Sequence, residues 1–177
     1  MSKKVFLTIG VALLLFNVNA QKKNIGIRAG YLKSHMSYQG DKMGSSDNNY
    51  FMTIYKDSKL FPFLYFQSGL EYTRMGGSYN NQTRSVDYLG VPLALKAKVG
   101  PVYAFGGASF NVKLSENGTF PDTPFAGKNK WYDSNAFVGA GIEIIIFTFD
   151  IKYVRGLTDV NNGIKNNGYQ MGLGLRF

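Results

Sequence analysis

From Lys23 to its C-terminus the chain alternates apolar and polar side chains at every second position, with no convincing stretch of 3.6-residue periodicity. Such a chain is built from strands. Leu64, Phe66, Leu70 and Tyr72 stand against Gln67, Gly69, Glu71 and Thr73, and the odd positions Leu89 to Val99 stand against Tyr88, Gly90, Pro92, Ala94, Lys96 and Lys98. Val102 to Leu114 repeats the pattern, as do Asn135–Ile144, Phe149–Tyr153 and Tyr169–Phe177. The first strand runs from Ile25 to about Ser34, and a blurred one over Asn49–Tyr55 completes an even count of eight.

The connections fall into two classes that alternate strictly. Tyr38–Asn48, Gly76–Arg84, Ser115–Lys130 and Gly156–Asn167 are long and rich in Asn, Gly, Ser and Asp. Lys56–Phe61, Gly100–Pro101 and Ile146–Thr148 are short. Short turns on one side and long loops on the other characterise outer-membrane barrels, and an even strand number puts both termini on the periplasmic side.

The two faces favour the same architecture. The apolar face is nearly uninterrupted in most strands, whereas the opposite face mixes glycine with Arg28, Glu71, Lys96, Glu143, Asp150, Lys152 and Arg176. A small lumen suits that mixture, with the charges paired because water is scarce there. A lipocalin-like barrel or a sandwich, with an apolar interior, is the competing architecture. The reading is an all-β, eight-stranded, antiparallel up-and-down transmembrane β-barrel, closed so that every backbone group pairs within the sheet. Pro92 removes a ladder donor from the middle of a strand, which predicts a bulge or a bonding gap there.

The N-terminus reads as an export signal. Lys3 and Lys4 precede the apolar run Val5–Phe16, and Val18-Asn19-Ala20 supplies small residues at −3 and −1 of a cleavage site. This divides the chain into a signal peptide (1–20) and an outer-membrane β-barrel domain (21–177). A buried N-terminal helix is the alternative. Removing two lysines and no acids lowers the formal charge from +9 to +7. With no Cys, disulfide scaffolds, thiolate metal sites, Cys nucleophiles and an acylated N-terminal Cys are excluded. The mean hydropathy of −0.14 decides nothing, because a barrel averages a lipid face with a polar lumen.

The stretch Tyr88-Leu89-Gly90-Val91-Pro92-Leu93-Ala94-Leu95-Lys96 resembles the Tyr-Leu-x-Ile-Pro-Leu-x-Leu-Lys strand of the PorT-like outer-membrane β-barrel family of Gram-negative bacteria. Pro101-Val102-Tyr103, Gly106-Gly107 and Phe149-Asp150-Ile151-Lys152-Tyr153 also match later strands of that family. Members usually carry an acid where this chain has Gly90. The ending Gly174-Leu175-Arg176-Phe177 resembles the β-signal read by the barrel-assembly machinery, with Tyr169, Met171, Leu173, Leu175 and Phe177 on its apolar face. The resemblance implies fold and outer-membrane location. Some members serve type IX protein secretion, so an accessory role in such a system is one implied function.

Catalytic constellations are sparse. His35 is the sole histidine; Ser34 falls on the opposite face of its strand, and Ser37 at the strand end, which speaks against a lipid-modifying hydrolase. Glu71 and Glu143 are better explained as partners of Lys or Arg than as a glycosidase pair. Asp41, Asp47, Glu116, Asp122 and Asp159 lack the spacing of a calcium loop, and no cofactor is expected. Lys33, Lys42, Arg74, Arg84, Lys128, Lys130 and Lys165 are candidates for the phosphates of lipopolysaccharide, and Tyr31, Tyr72, Tyr153, Tyr169 and Phe177 for interfacial girdles. Nucleic acid is not an expected partner. The expectation is therefore a non-enzymatic integral barrel, without a general porin channel, that presents loops or supports envelope assembly.

Overall fold

The computed structural model describes residues 24–38, 41–79, 82–118, 130–159 and 164–177. Residues 1–20, expected to be a signal peptide, and Asp122 and Lys128 lie outside them, and the side chains of Asp41 and Lys42 lie outside the description. Eight antiparallel strands follow one another around a closed barrel: β1 (Ile25–Tyr38), β2 (Asp41–Phe61), β3 (Leu64–Tyr79), β4 (Gln82–Val99), β5 (Val102–Asn117), β6 (Tyr132–Ile144), β7 (Phe147–Gly156) and β8 (Ile164–Arg176). The first and last strands seal it, from Gly26↔Arg176 to Tyr38↔Ile164.

Strand bounds differ from the sequence reading in one direction: strands outrun the hydrophobic pattern. Most of Tyr38–Asn48 and Gly76–Arg84 belongs to paired strands, with Ser34↔Asp47, Tyr38↔Asp41 and Tyr79↔Gln82 in register. Strand β8 likewise starts at Ile164, inside the expected linker Gly156–Asn167. Ladder bonds need only backbone, so above the membrane both faces turn polar and the period-two signal vanishes while the strand continues. Lys56–Phe61 is also strand, and the turn falls at Pro62–Phe63. The third short connection is Ile145–Ile146, not Ile146–Thr148.

Pro92 sits in a bonding gap, as its chemistry requires. The ladder from β3 runs through Ser68↔Leu93 and resumes at Glu71↔Gly90, lapsing at Pro92 and Val91, whereas Pro92↔Ser109 remains in register with β5.

The outer wall rules out the soluble alternative. Leu173 is 70% exposed, Phe110 62% and Val138 60%, a contiguous apolar surface that water does not tolerate on a monomer. Tyrosines ring its upper edge: Tyr153 and Tyr169 lie 4.9 Å apart and Tyr50 and Tyr72 5.9 Å apart, with Trp131 edge-on to Tyr132 at 5.0 Å. Phe61, Phe63, Phe147 and Phe177 are exposed at the end bearing the short turns. The described chain ends lie there too, since Ile25 and Phe177 exchange backbone hydrogen bonds.

Candidate functional site in the barrel lumen

The lumen is filled by side chains in layers. At the short-turn end Asp57 is fully buried, accepting hydrogen bonds from Gln67 Nε2 at 2.7 Å and Lys96 Nζ at 2.9 Å, with Arg176 Nη2 3.7 Å away. Arg176 Nη1 reaches both oxygens of Glu143 at 2.8 Å, and Lys98 pairs with the same carboxylate at 2.7 Å. Lys96 Nζ also lies 4.2 Å from the centre of the Tyr103 ring.

Two ion pairs fill the middle. Arg28 Nε is 2.8 Å from Asp150 Oδ2 but points off the hydrogen-bond direction, so the contact is mainly one of charge, while Tyr103 donates its hydroxyl to the same oxygen at 2.9 Å. The Arg28 guanidinium also lies over the Tyr55 ring at 4.7 Å. Glu71 accepts from Lys152 at 3.0 Å, from Thr53 at 2.8 Å and from Thr73 at 3.1 Å. Lys152 in turn sits 4.9 Å above Phe137.

Glycines make room for these rings. Register sets Phe105 beside Gly139 and Tyr103 beside Gly141. A Cβ on Gly139 would lie 2.6 Å from Phe105 Cζ, and one on Gly141 2.5 Å from Tyr103 Cζ.

Toward the long-hairpin end the lumen turns apolar, with Leu32, Phe51, Met75, Val86, Tyr88 and Val154 buried together. Above them Asn166 donates to Asp133 at 3.1 Å, and Arg84 pairs with Glu116, which also takes Lys113 at 2.6 Å.

All seven charges of the expected lumenal network thus lie inside, in two middle pairs (Arg28–Asp150, Glu71–Lys152) and one terminal cluster (Lys96, Glu143, Arg176). Sequence reasoning missed Asp57, the hub of that cluster. Its position in a polar run looked like a turn, although it has the same parity as the inward Thr53 and Tyr55. It also missed the aromatic share of the filling, which the expected glycine-and-charge lumen left out.

The other candidates separate. Ser34 is buried, donating to Gly76 O at 2.7 Å and accepting from Gly76 N and Asn49 Nδ2 at 2.9 Å, which pins two hairpins together. Arg84 is buried instead of reaching a lipid phosphate, and Arg74 engages Ser85 at 3.1 Å. Tyr169, Met171 and Leu173 face outward on β8, with Phe177 exposed beyond its end. Among the described residues no group of three or more His, Asp or Glu converges as a metal site.

A closed eight-stranded barrel with an apolar exterior and a charge-paired, filled interior defines the class of integral outer-membrane proteins. The chain belongs to the outer membrane protein beta-barrel domain family, whose model matches residues 2–162. Among solved structures it is similar to Neisserial surface protein A (12% identity, 86% of this chain and 97% of that one, TM-score 0.62). It is also similar to Ail, the attachment invasion locus protein of Yersinia pestis (14% identity, 89% and 100%, TM-score 0.55). At these identities the likeness is one of fold. No curated protein matches the sequence.

Proposed function

We propose that the protein is a non-enzymatic, non-conducting outer-membrane barrel that acts through the hairpins it presents outside the cell. In this reading residues 1–20 are a cleaved signal peptide, both termini are periplasmic, and Tyr169, Met171, Leu173, Leu175 and Phe177 engage the barrel-assembly machinery. The filled lumen carries the proposal: five cations (Arg28, Lys96, Lys98, Lys152, Arg176) interlock with four carboxylates (Asp57, Glu71, Glu143, Asp150) across the axis. A barrel plugged in this way has its strand extensions and loops left for contact with partners. Planar-bilayer recording of the refolded protein tests it. The expected trace is silent, and a large, stable open state would sink the proposal.

A PorT-like role in secretion is the second reading, supported by the Tyr88–Lys96 resemblance and by the bonding gap that accommodates Pro92. Cross-linking in whole cells separates the two. Recovery of secretion-machinery proteins on the barrel favours the accessory role; recovery of surface ligands alone favours presentation.

A further inference from the structure

On the wall where β7, β8 and β1 meet, the outward side chains stand in ranks. Lys33 lies beside Tyr169 and Tyr169 beside Tyr153; one step toward the hairpin tips, His35 lies beside Asn167 and Asn167 beside Arg155; a further step brings Lys165 beside Ser37, whose side chain is itself buried. Strand spacing puts the Cα of Arg155 about 8 Å from that of Lys165 and about 12 Å from that of Lys33. Both distances are within joint reach of long side chains around one phosphorylated headgroup.

The cations of this wall are open to an anion. Lys33 and Arg155 are exposed, and among the described residues neither is drawn to a carboxylate. Lys165 has one acidic neighbour, Asp159 at 3.7 Å, in a pair about half exposed on both sides. Elsewhere Arg84 and Lys113 are taken by Glu116, and Arg74 lies 3.9 Å from Asp87.

The same wall carries an apolar groove of about 400 Å³, lined among others by Ile27, Ala29, Met52, Phe147, Leu173 and Leu175. Its rank Ala29↔Leu173 is four residues below Lys33↔Tyr169, about 13 Å along the strand. With strands tilted by about 35–45°, that is about 10 Å of depth, within reach of an acyl chain that spans half of a hydrocarbon core about 30 Å thick.

We propose that this wall binds a phosphorylated, acylated lipid of the outer leaflet. Lys33, Arg155 and Lys165 hold its phosphates, Tyr153 and Tyr169 flank the interface, and one acyl chain lies in the groove. A soluble polyanion would use the cations and leave the groove empty; the coincidence of the two on one wall selects a lipid. The inference rests on the hairpins facing outward.

Native mass spectrometry of the full barrel, stripped of lipid in mild detergent and titrated with lipopolysaccharide, tests it. One molecule is expected to remain bound. Lys33→Ala is expected to weaken retention about fivefold, the combined Lys33→Ala, Arg155→Ala and Lys165→Ala variant to abolish it, and Ala29→Trp to reduce it by filling the groove. Lys59→Ala, exposed near the short-turn end of β2, should leave it unchanged. Heat-modifiable migration certifies that each variant is folded. Full retention by the triple variant, an equal loss with Lys59→Ala, or displacement of the lipid by inorganic phosphate would each overturn the site. Orientation is read separately: Ser45→Cys, the sole thiol, should react with an impermeant maleimide on intact cells. Labelling only after lysis overturns the outward hairpins, and with them the outer-leaflet assignment, even where detergent binding persists.

Discussion

Asp57 shows how much a single buried carboxylate can carry. Its two oxygens serve Gln67 and Lys96, with Arg176 close by, and neither Asp57 nor Lys96 touches solvent. Removing one partner of such a pair strands the other charge, at a cost of about 3–5 kcal/mol. Asp57→Ala is therefore expected to lower the urea midpoint of the refolded barrel sharply, whereas Asp57→Leu with Lys96→Met should recover most of the loss. A double variant no better than the single one would show that Asp57 works through backbone or Arg176 alone. By contrast, disrupting the exposed Lys165–Asp159 pair should change stability by less than about 1 kcal/mol.

Two elements store testable tension. Ile145, in the β6–β7 turn, has φ 59°, a left-handed conformation costing a β-branched residue about 1–2 kcal/mol. It is 88% exposed, so little packing is lost on replacement. Ile145→Asn should stabilise the barrel by about 1 kcal/mol, read as a higher temperature for the heat-induced gel shift; no shift would mean that the turn is held by other forces. In β6 the constraint is space. Gly141→Val would press its Cβ against the Phe149 carbonyl, 2.5 Å away, and into the Tyr103 ring that donates to Asp150. A loss of about 1–3 kcal/mol is expected, seen as a lower urea midpoint, and an unchanged midpoint would mean that both the Tyr103 ring and the β7 backbone yield freely.

At the scale of the molecule, the plug and the wall are separable. The continuous β1–β8 ladder closes the wall through backbone pairing, whereas conductance depends on what fills the axis. Truncating the middle layer (Arg28→Ala, Tyr103→Ala and Lys152→Ala together) is expected to yield a stable conductance in planar bilayers where the natural protein is silent. If the triple variant folds and stays silent, the remaining layers, the apolar one around Phe51 and Tyr88 and the cluster around Asp57, are a sufficient seal.

Much of this molecule was legible in the residues. Period two, strict alternation of long and short connections, and an uninterrupted apolar face determine a closed barrel in lipid, because the bilayer demands that backbone groups pair and side chains sort by face. The inward set Arg28, Glu71, Lys96, Glu143, Asp150, Lys152 and Arg176 followed from parity alone. Parity says which way a side chain points but not how high it stands. Which acid meets which base, Asp57 as the hub, Phe105 and Tyr103 lying over glycines, and the cations of β1, β7 and β8 gathering on one wall depend on register between strands distant in sequence. Only the closed tertiary structure sets that register.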